Sequence, residues 1–193
     1  MPRQGKWLSI AVAVMALLSA PFAHADCSKA SAAWITLDLI SPLTGGVEPY
    51  EWVEINRAGC VTTRYAHYDR RAGIYQHSAD APVLARIDQL ASDKRIARFD
   101  ARAVRAEIRG EEQAKAKALG TADFSFIVSD ADRVRVEIRN DGNASTLIEF
   151  EAAAETARAF PQVSSLQALV ALIDELRAVG NAAGKRKIAE VTP

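Results

Sequence analysis

His67, Asp69 and His77 have the side-chain types of a metal site. His67 and Asp69 stand two residues apart, so on a strand they share one face, and a short hairpin would bring His77 across to them. Imidazole and carboxylate together suit zinc, and the chemistry implied is that of a metal-dependent hydrolase. The same histidines lie among Tyr65, Tyr68 and Tyr75, and they read equally as ordinary surface side chains. The chain carries no zinc-protease helix motif, no glycine-rich phosphate or dinucleotide loop, no nucleophile elbow and no paired-cysteine metal motif. No cofactor is therefore expected, and the balance tilts from enzyme towards binding protein.

Two further groupings suit recognition. Arg95, Arg98, Arg102, Arg105 and Arg109 step by three and four, which on one continuous helix aligns five guanidinium groups along a single face beside Ile96, Phe99 and Ala103. Such a helix could meet anionic headgroups or an acidic protein; alternatively its arginine stems cover apolar surface and their heads pair with Asp100 or Glu107. The second grouping is the loop Leu43 to Pro49, with Gly45-Gly46 inside it and Tyr50 and Trp52 behind it. Aromatic side chains behind a glycine loop make a recognition surface, or else fill a core.

Elements must hold these residues in place. Ile35, Leu37 and Leu39 alternate with Thr36 and Asp38, which predicts a strand from Ser31. Strands over Tyr50 to Asn56 and Cys60 to Tyr68 flank a turn in which Gly59 supplies positive φ, and a short fourth strand runs Gly73 to His77. Helical spacing follows Asp80 and Pro82, and a second helical stretch covers Asp93 to Arg109, with 110–120 as its solvated end or a linker. Strand character returns over Asp123 to Ser129, Arg133 to Arg139 and, after the turn at Asn140 to Asn143, Ser145 to Phe150. Asn143-Ala144-Ser145 also has the letters of a glycosylation acceptor. A last helix begins at a capping box, Ser164 with Gln167, carries the stripe Leu166, Leu169, Val170, Ile173, Leu176, and ends at Gly180.

Strands, helix, strands, helix is the order of an α+β domain, an antiparallel meander with helices on one face. A duplication is suggested by Val53-Glu54-Ile55 recurring as Val136-Glu137-Ile138, and by Ala85 to Leu90 echoing Ala171 to Leu176. The repeats would be 31–109 and 121–180 of one domain, 26–180, with a disordered tail over 181–193.

Residues 1–25 have the parts of a secretory signal peptide: cationic Arg3 and Lys6, an uncharged run Leu8 to Ala20, Pro21, and small residues at Ala23 and Ala25. This run of thirteen uncharged residues falls short of the ~20 of a membrane helix. Cleavage between Ala25 and Asp26 leaves 168 of the 193 residues, with 22 basic against 24 acidic side chains because Arg3 and Lys6 are lost. That balance argues against a nucleic-acid partner. No second apolar span follows, so the mature chain is expected to be periplasmic or secreted. Export would let Cys27 and Cys60 pair, with two unpaired thiols as the alternative.

The run Gly45-Gly46-Val47-Glu48-Pro49-Tyr50, followed by Ile55, Gly59, Gly73 with Tyr75, and late Pro161 with Ile173-Asp174, resembles a family of uncharacterised secreted bacterial domains of pattern G-x-C-P-x-Y. Glu48 stands where that pattern has its cysteine. The layout is also similar to small protease inhibitors of the emfourin type, through the Gly-Gly loop after the first strand and the helix that follows the meander. The first resemblance implies an exported domain and the second an inhibitor of a secreted enzyme; the expectation for the chain is an exported soluble domain that acts by binding a protein or envelope component, through the 43–52 loop and the arginine ladder. A purely structural envelope protein is the remaining expectation.

Overall fold

A computed structural model describes Cys27, residues 32–140 and residues 145–192. Seven strands, β1 (Ala33–Ile40), β2 (Glu51–Asn56), β3 (Cys60–Tyr65), β4 (Gly73–Ser78), β5 (Arg133–Arg139), β6 (Ser145–Glu151) and β7 (Arg186–Ala189), form one antiparallel sheet of order β6-β5-β1-β2-β3-β4-β7. Five helices accompany it: α1 (Ala81–Ala91), α2 (Lys94–Ala97), α3 (Ala101–Leu119), α4 (Ala153–Ala159) and α5 (Ser164–Gly180). The chain is α+β, a four-strand meander whose first strand also receives the β5-β6 hairpin on its other side.

Alternation decides which face is buried. Ile35, Leu37 and Leu39 of β1 meet Val53 and Ile55 of β2 on one flank and Val134, Val136 and Ile138 of β5 on the other, all pointing towards the helices. α5 lies across β2 and β3 and is the hub against which α1, α2 and α4 pack; α3 leans on β6. Leu166, Leu169, Leu172 and Leu176 of α5 are all at most 1% exposed, which makes this helix the lid of the core. A bulge between Ala33 and Ile35 sets one extra residue into β1 and turns Trp34 to the core. Arg57 stacks on the Trp34 ring at 3.9 Å.

Several expectations are corrected. The stretch from Asp93 to Arg109 is two helices, because Asp93 and Asp100 each accept backbone N–H groups of the turn that follows: Asp93 from Arg95, Asp100 from Arg102 and Ala103. Phe99 sits in the break and meets Phe150 edge-on, with centroids 6.0 Å apart. Residues 123–129 are not a strand; Phe124, Phe126 and Val128 are half-buried, and the Phe126 N–H donates to Glu112 at 2.7 Å in place of a strand partner. The third strand ends at Tyr65, so His67 and Asp69 fall in a turn. Ser164 makes no side-chain cap; Gln167 instead donates to the Ala157 carbonyl at 2.7 Å. Gly180 does not stop α5 by left-handed backbone but is its last residue, where a Cβ would stand 2.7 Å from Val53 Cγ2. The tail returns as β7 on the free side of β4, an edge position that needs no apolar alternation and so left no signal.

The matched segments of the suggested duplication take related places. Val53-Glu54-Ile55 and Val136-Glu137-Ile138 flank β1 in the same register, paired to Leu37, Thr36 and Ile35. α1 packs on α5, joined by Arg86 and Glu175 at 2.6 Å. The first half nevertheless has four strands where 121–180 has two. The turn residues 141–144, including the glycosylation letters at Asn143, and the signal segment 1–25 lie outside the described residues.

Candidate binding surface

Side chains that point away from the helices form cross-strand rows. One row runs Glu149, Arg135, Asp38, Trp52, Arg64, Ile74; the next runs Leu147, Glu137, Thr36, Glu54, Thr62, Gln76. None of these residues is buried. Among the described residues α1 to α5 all lie on the other face, and this one is a mixed polar and apolar surface of half-buried and exposed side chains.

A basin of about 430 Å³ sits on it, lined by Asp38, Glu48, Pro49, Trp52, Arg64 and Ile74. Burial raises the pKa of Asp38; Arg135 opposes the shift, while Glu137 and Glu149 add to it. The loop between β1 and β2 makes the rim. Its one-turn 3-10 helix, Pro42–Thr44, starts at Ser41, whose hydroxyl accepts from the Leu43 N–H at 3.4 Å, and closes at Gly45 with φ 81°. The loop is tied to the sheet by Arg133, which donates to the Gly46 carbonyl at 2.7 Å, and by the Tyr50 N–H to Leu39 O bond at 2.9 Å. Thus anchored, it holds Leu43 and Val47 out at 77% and 81% exposure.

Tyr50 and Trp52 do not act together. Tyr50 precedes β2 and escapes its alternation; its hydroxyl donates to Asp132 at 2.6 Å on the helix side, where it lines a cavity of about 110 Å³ with Glu155, Asp174 and Arg177. Burial and that bond push the phenol well above its usual pKa. Trp52 alone reaches the basin.

Glu51, which the sequence reading passed over, is 1% exposed and anchors a polar cluster at the C-terminal end of α5. Asn181 donates to it at 3.1 Å and Arg177 approaches at 3.5 Å. Tyr65 and Arg71 both donate to the Asn181 side-chain oxygen, at 2.7 and 2.8 Å. Burial pushes the Tyr65 phenol up to about 12, against the pull of Arg71, which stacks on its ring at 3.9 Å. A carboxylate at the inward position before Val53 and Ile55 was the available signal, since a charge on a core face demands partners.

The remaining candidates are dispersed. The break at Phe99 and Asp100 divides the arginine ladder: Arg95 and Arg98 belong to α2 and its cap, and Arg102, Arg105 and Arg109 to α3. Arg95 is engaged by Asp93 at 2.6 Å, and Arg105 lies over Phe150 at 5.4 Å, so the five are not aligned along one helix. His67, Asp69 and His77 are not brought together. His77 pairs with Val61, at the opposite end of the β3-β4 ladder from the turn carrying His67 and Asp69, and Asp69 is taken by Arg71 at 3.2 Å. Among the described residues no three His, Cys, Asp or Glu side chains are grouped to hold a metal ion. Cys27 and Cys60 are joined, with Cα atoms 5.4 Å apart. No helix among the described residues is long and apolar enough to cross a membrane. Comparison of the chain with protein-family models, with curated proteins and with solved structures found no match.

Proposed function

We propose that this chain is an exported binding domain that docks a protein or envelope component on the open face of its sheet, through the basin around Trp52 and the loop above it. The observation that carries the reading is the pairing of a sheet face that no described helix covers with a rim that is tied to the sheet yet presents Leu43 and Val47 to solvent. Exposed apolar side chains beside a Trp-lined hollow, ringed by Asp38, Glu48 and Arg64, have the make-up of an interface centre with a polar rim. The disulfide and the signal-like residues 1–25 support a site of action outside the cytoplasm. The similarity in layout to small protease inhibitors favours a protein partner. The broken arginine ladder supports no second surface.

The test is site-specific photo-crosslinking in the cells that make the protein. A benzophenone side chain at Val47 is expected to give a discrete adduct that Trp52→Ala abolishes, while the same group at Arg98, on the helix side, gives none. Equal adducts at both positions, or none at Val47, would remove the open face as the binding site.

A further inference from the structure

β7 is an unusual edge strand: all four of its residues are exposed, and its pairing to β4 is interrupted by a register shift between Ile74 and Tyr75. Little apolar surface holds it in place. It is held by main-chain pairing to β4 and by a pair of lysines two residues apart, of which Lys187 also pairs with Glu190 of the tail at 2.7 Å. Lys185, just before the strand, donates its ammonium to the Tyr65 hydroxyl at 2.7 Å and to the Gly180 carbonyl at 3.1 Å. It stands 4.6 Å from the Tyr65 ring centre and 5.3 Å from that of Tyr75. Lys187 pairs with Tyr75 across the ladder and lies 6.0 Å from its ring. Its side chain fills the space over Gly73, where a Cβ would collide with it and would also stand 3.1 Å from the Ala189 carbonyl. Gly73 is buried, with φ 140°, so the missing side chain is what admits the lysine.

The receiving surface is therefore a shaped one: the Tyr75 ring and the Tyr65 ring, the latter shared with Arg71 at 3.9 Å, the Tyr65 hydroxyl and Gly180 carbonyl that accept from Lys185, a glycine notch for an aliphatic stem, and the outer hydrogen-bonding edge of β4. An edge of this kind takes an added strand by main-chain pairing, while pockets along it select alternate side chains. We infer that the β4 edge with Tyr65, Tyr75 and Gly73 is a receptor for an extended peptide bearing lysines two residues apart, and that β7 occupies it in cis. The occupant class is given by the tail seated there. This surface meets the Trp52 basin at Ile74, which pairs with Ala189, but Tyr65, Tyr75 and Gly73 alternate to the other face of the sheet, and the inference does not rest on the basin.

Because a tethered strand competes at high effective concentration, a peptide in solution meets the native chain with its affinity lowered by the fraction of time the edge is free. The probe is a fluorescein-labelled peptide of residues 183–192 (AGKRKIAEVT), titrated by anisotropy against the full chain, against the full chain with Lys185→Ala and Lys187→Ala, and against that variant with Tyr75→Ser added. The double variant is expected to bind roughly tenfold or more tightly than the native chain, Tyr75→Ser to lose that gain, and a peptide with both lysines changed to serine to bind roughly tenfold more weakly. Equal binding by native and double-variant chains would overturn the proposal. So would no binding by a double variant that keeps the native circular dichroism and cooperative melt, or indifference to the peptide's lysines. A concentration-dependent dimer of the native chain, lost in the double variant, would assign the edge to a second copy's tail and overturn a receptor for foreign peptide.

Discussion

Asp38 shows how a single residue on the open face trades stability for a charged surface. Its carboxyl is raised by burial on a sheet position flanked by Trp52 and Arg135. A carboxyl whose folded pKa lies above its unfolded value destabilises the native state once both are ionised, and the penalty is absent below the unfolded value of 3.8. Asp38→Asn should therefore raise the urea midpoint at pH 7, with the advantage shrinking as pH falls through the raised pKa and gone near pH 3. A lower midpoint at pH 7 would mean that Arg135 holds the carboxylate more strongly than desolvation opposes it. The residues of this face were half legible in the sequence. Alternation along Ile35 to Leu39 placed Asp38 outward, and Trp52 was singled out. Tyr50 and Trp52 group in sequence as aromatics behind a glycine loop, but β2 begins only at Glu51 and Tyr50 turns to Asp132 on the helix side. The metal trio is dispersed because its pairing of His67 with Asp69 assumes extended chain through 67–69, whereas the chain turns after Tyr65 and Arg71 engages the aspartate.

At the scale of elements, α3 and α5 are opposites. α3 buries only Val104 and Ala116, while α5 buries eight residues including Gly180, where a Cβ would press on Val53 and Thr63. Their glycines should answer the same substitution with opposite sign. Gly110 has nothing within 4 Å of a would-be Cβ, so Gly110→Ala should stabilise by about 0.5–1 kcal/mol through helix propensity alone. At Gly180 the added methyl meets Val53 Cγ2 at 2.7 Å, and overpacking of about 1–3 kcal/mol exceeds the propensity gain. Urea unfolding of the two variants beside the native chain checks both signs; a stabilised Gly180→Ala would show that the helix end can lift from the sheet at no cost. The stripe that identified α5 was legible because packing and periodicity agree there. The arginine ladder was not, although its spacing is as regular, because Asp100 accepts from Arg102 and Ala103 and starts a new helix within it. Capping aspartates, read before the spacing, would have divided the stretch.

For the whole molecule, the staple from Cys27 to Cys60 joins the segment before β1 to the first residue of β3, across a sequence separation of 33. On the chain-entropy view such a loop is worth about 3–4 kcal/mol. A Cys27→Ser, Cys60→Ser chain should lose stability of that order in denaturant, and dithiothreitol should lower the native protein to the same midpoint. An unchanged midpoint would mean that the meander is already fully restrained without the bridge. The α+β class and the one-sided helical cover were legible from element order and alternation. The β7 edge and the position of the β5-β6 hairpin were not, since neither depends on a local pattern.

That hairpin position governs the order in which the chain can fold. β1 is a central strand, bonded by β2 on one flank and by β5 on the other. β2, β3 and β4 follow it closely, so the meander can assemble as soon as they are made, but the second flank of β1 stays open until Arg133 and the residues after it arrive. Through that interval the growing chain displays Ile35, Leu37 and Leu39 on a raw sheet margin, uncovered as well by α5, which comes later still. Folding speed and the risk of pairing with a neighbouring chain are thus set by how quickly the second half follows the first.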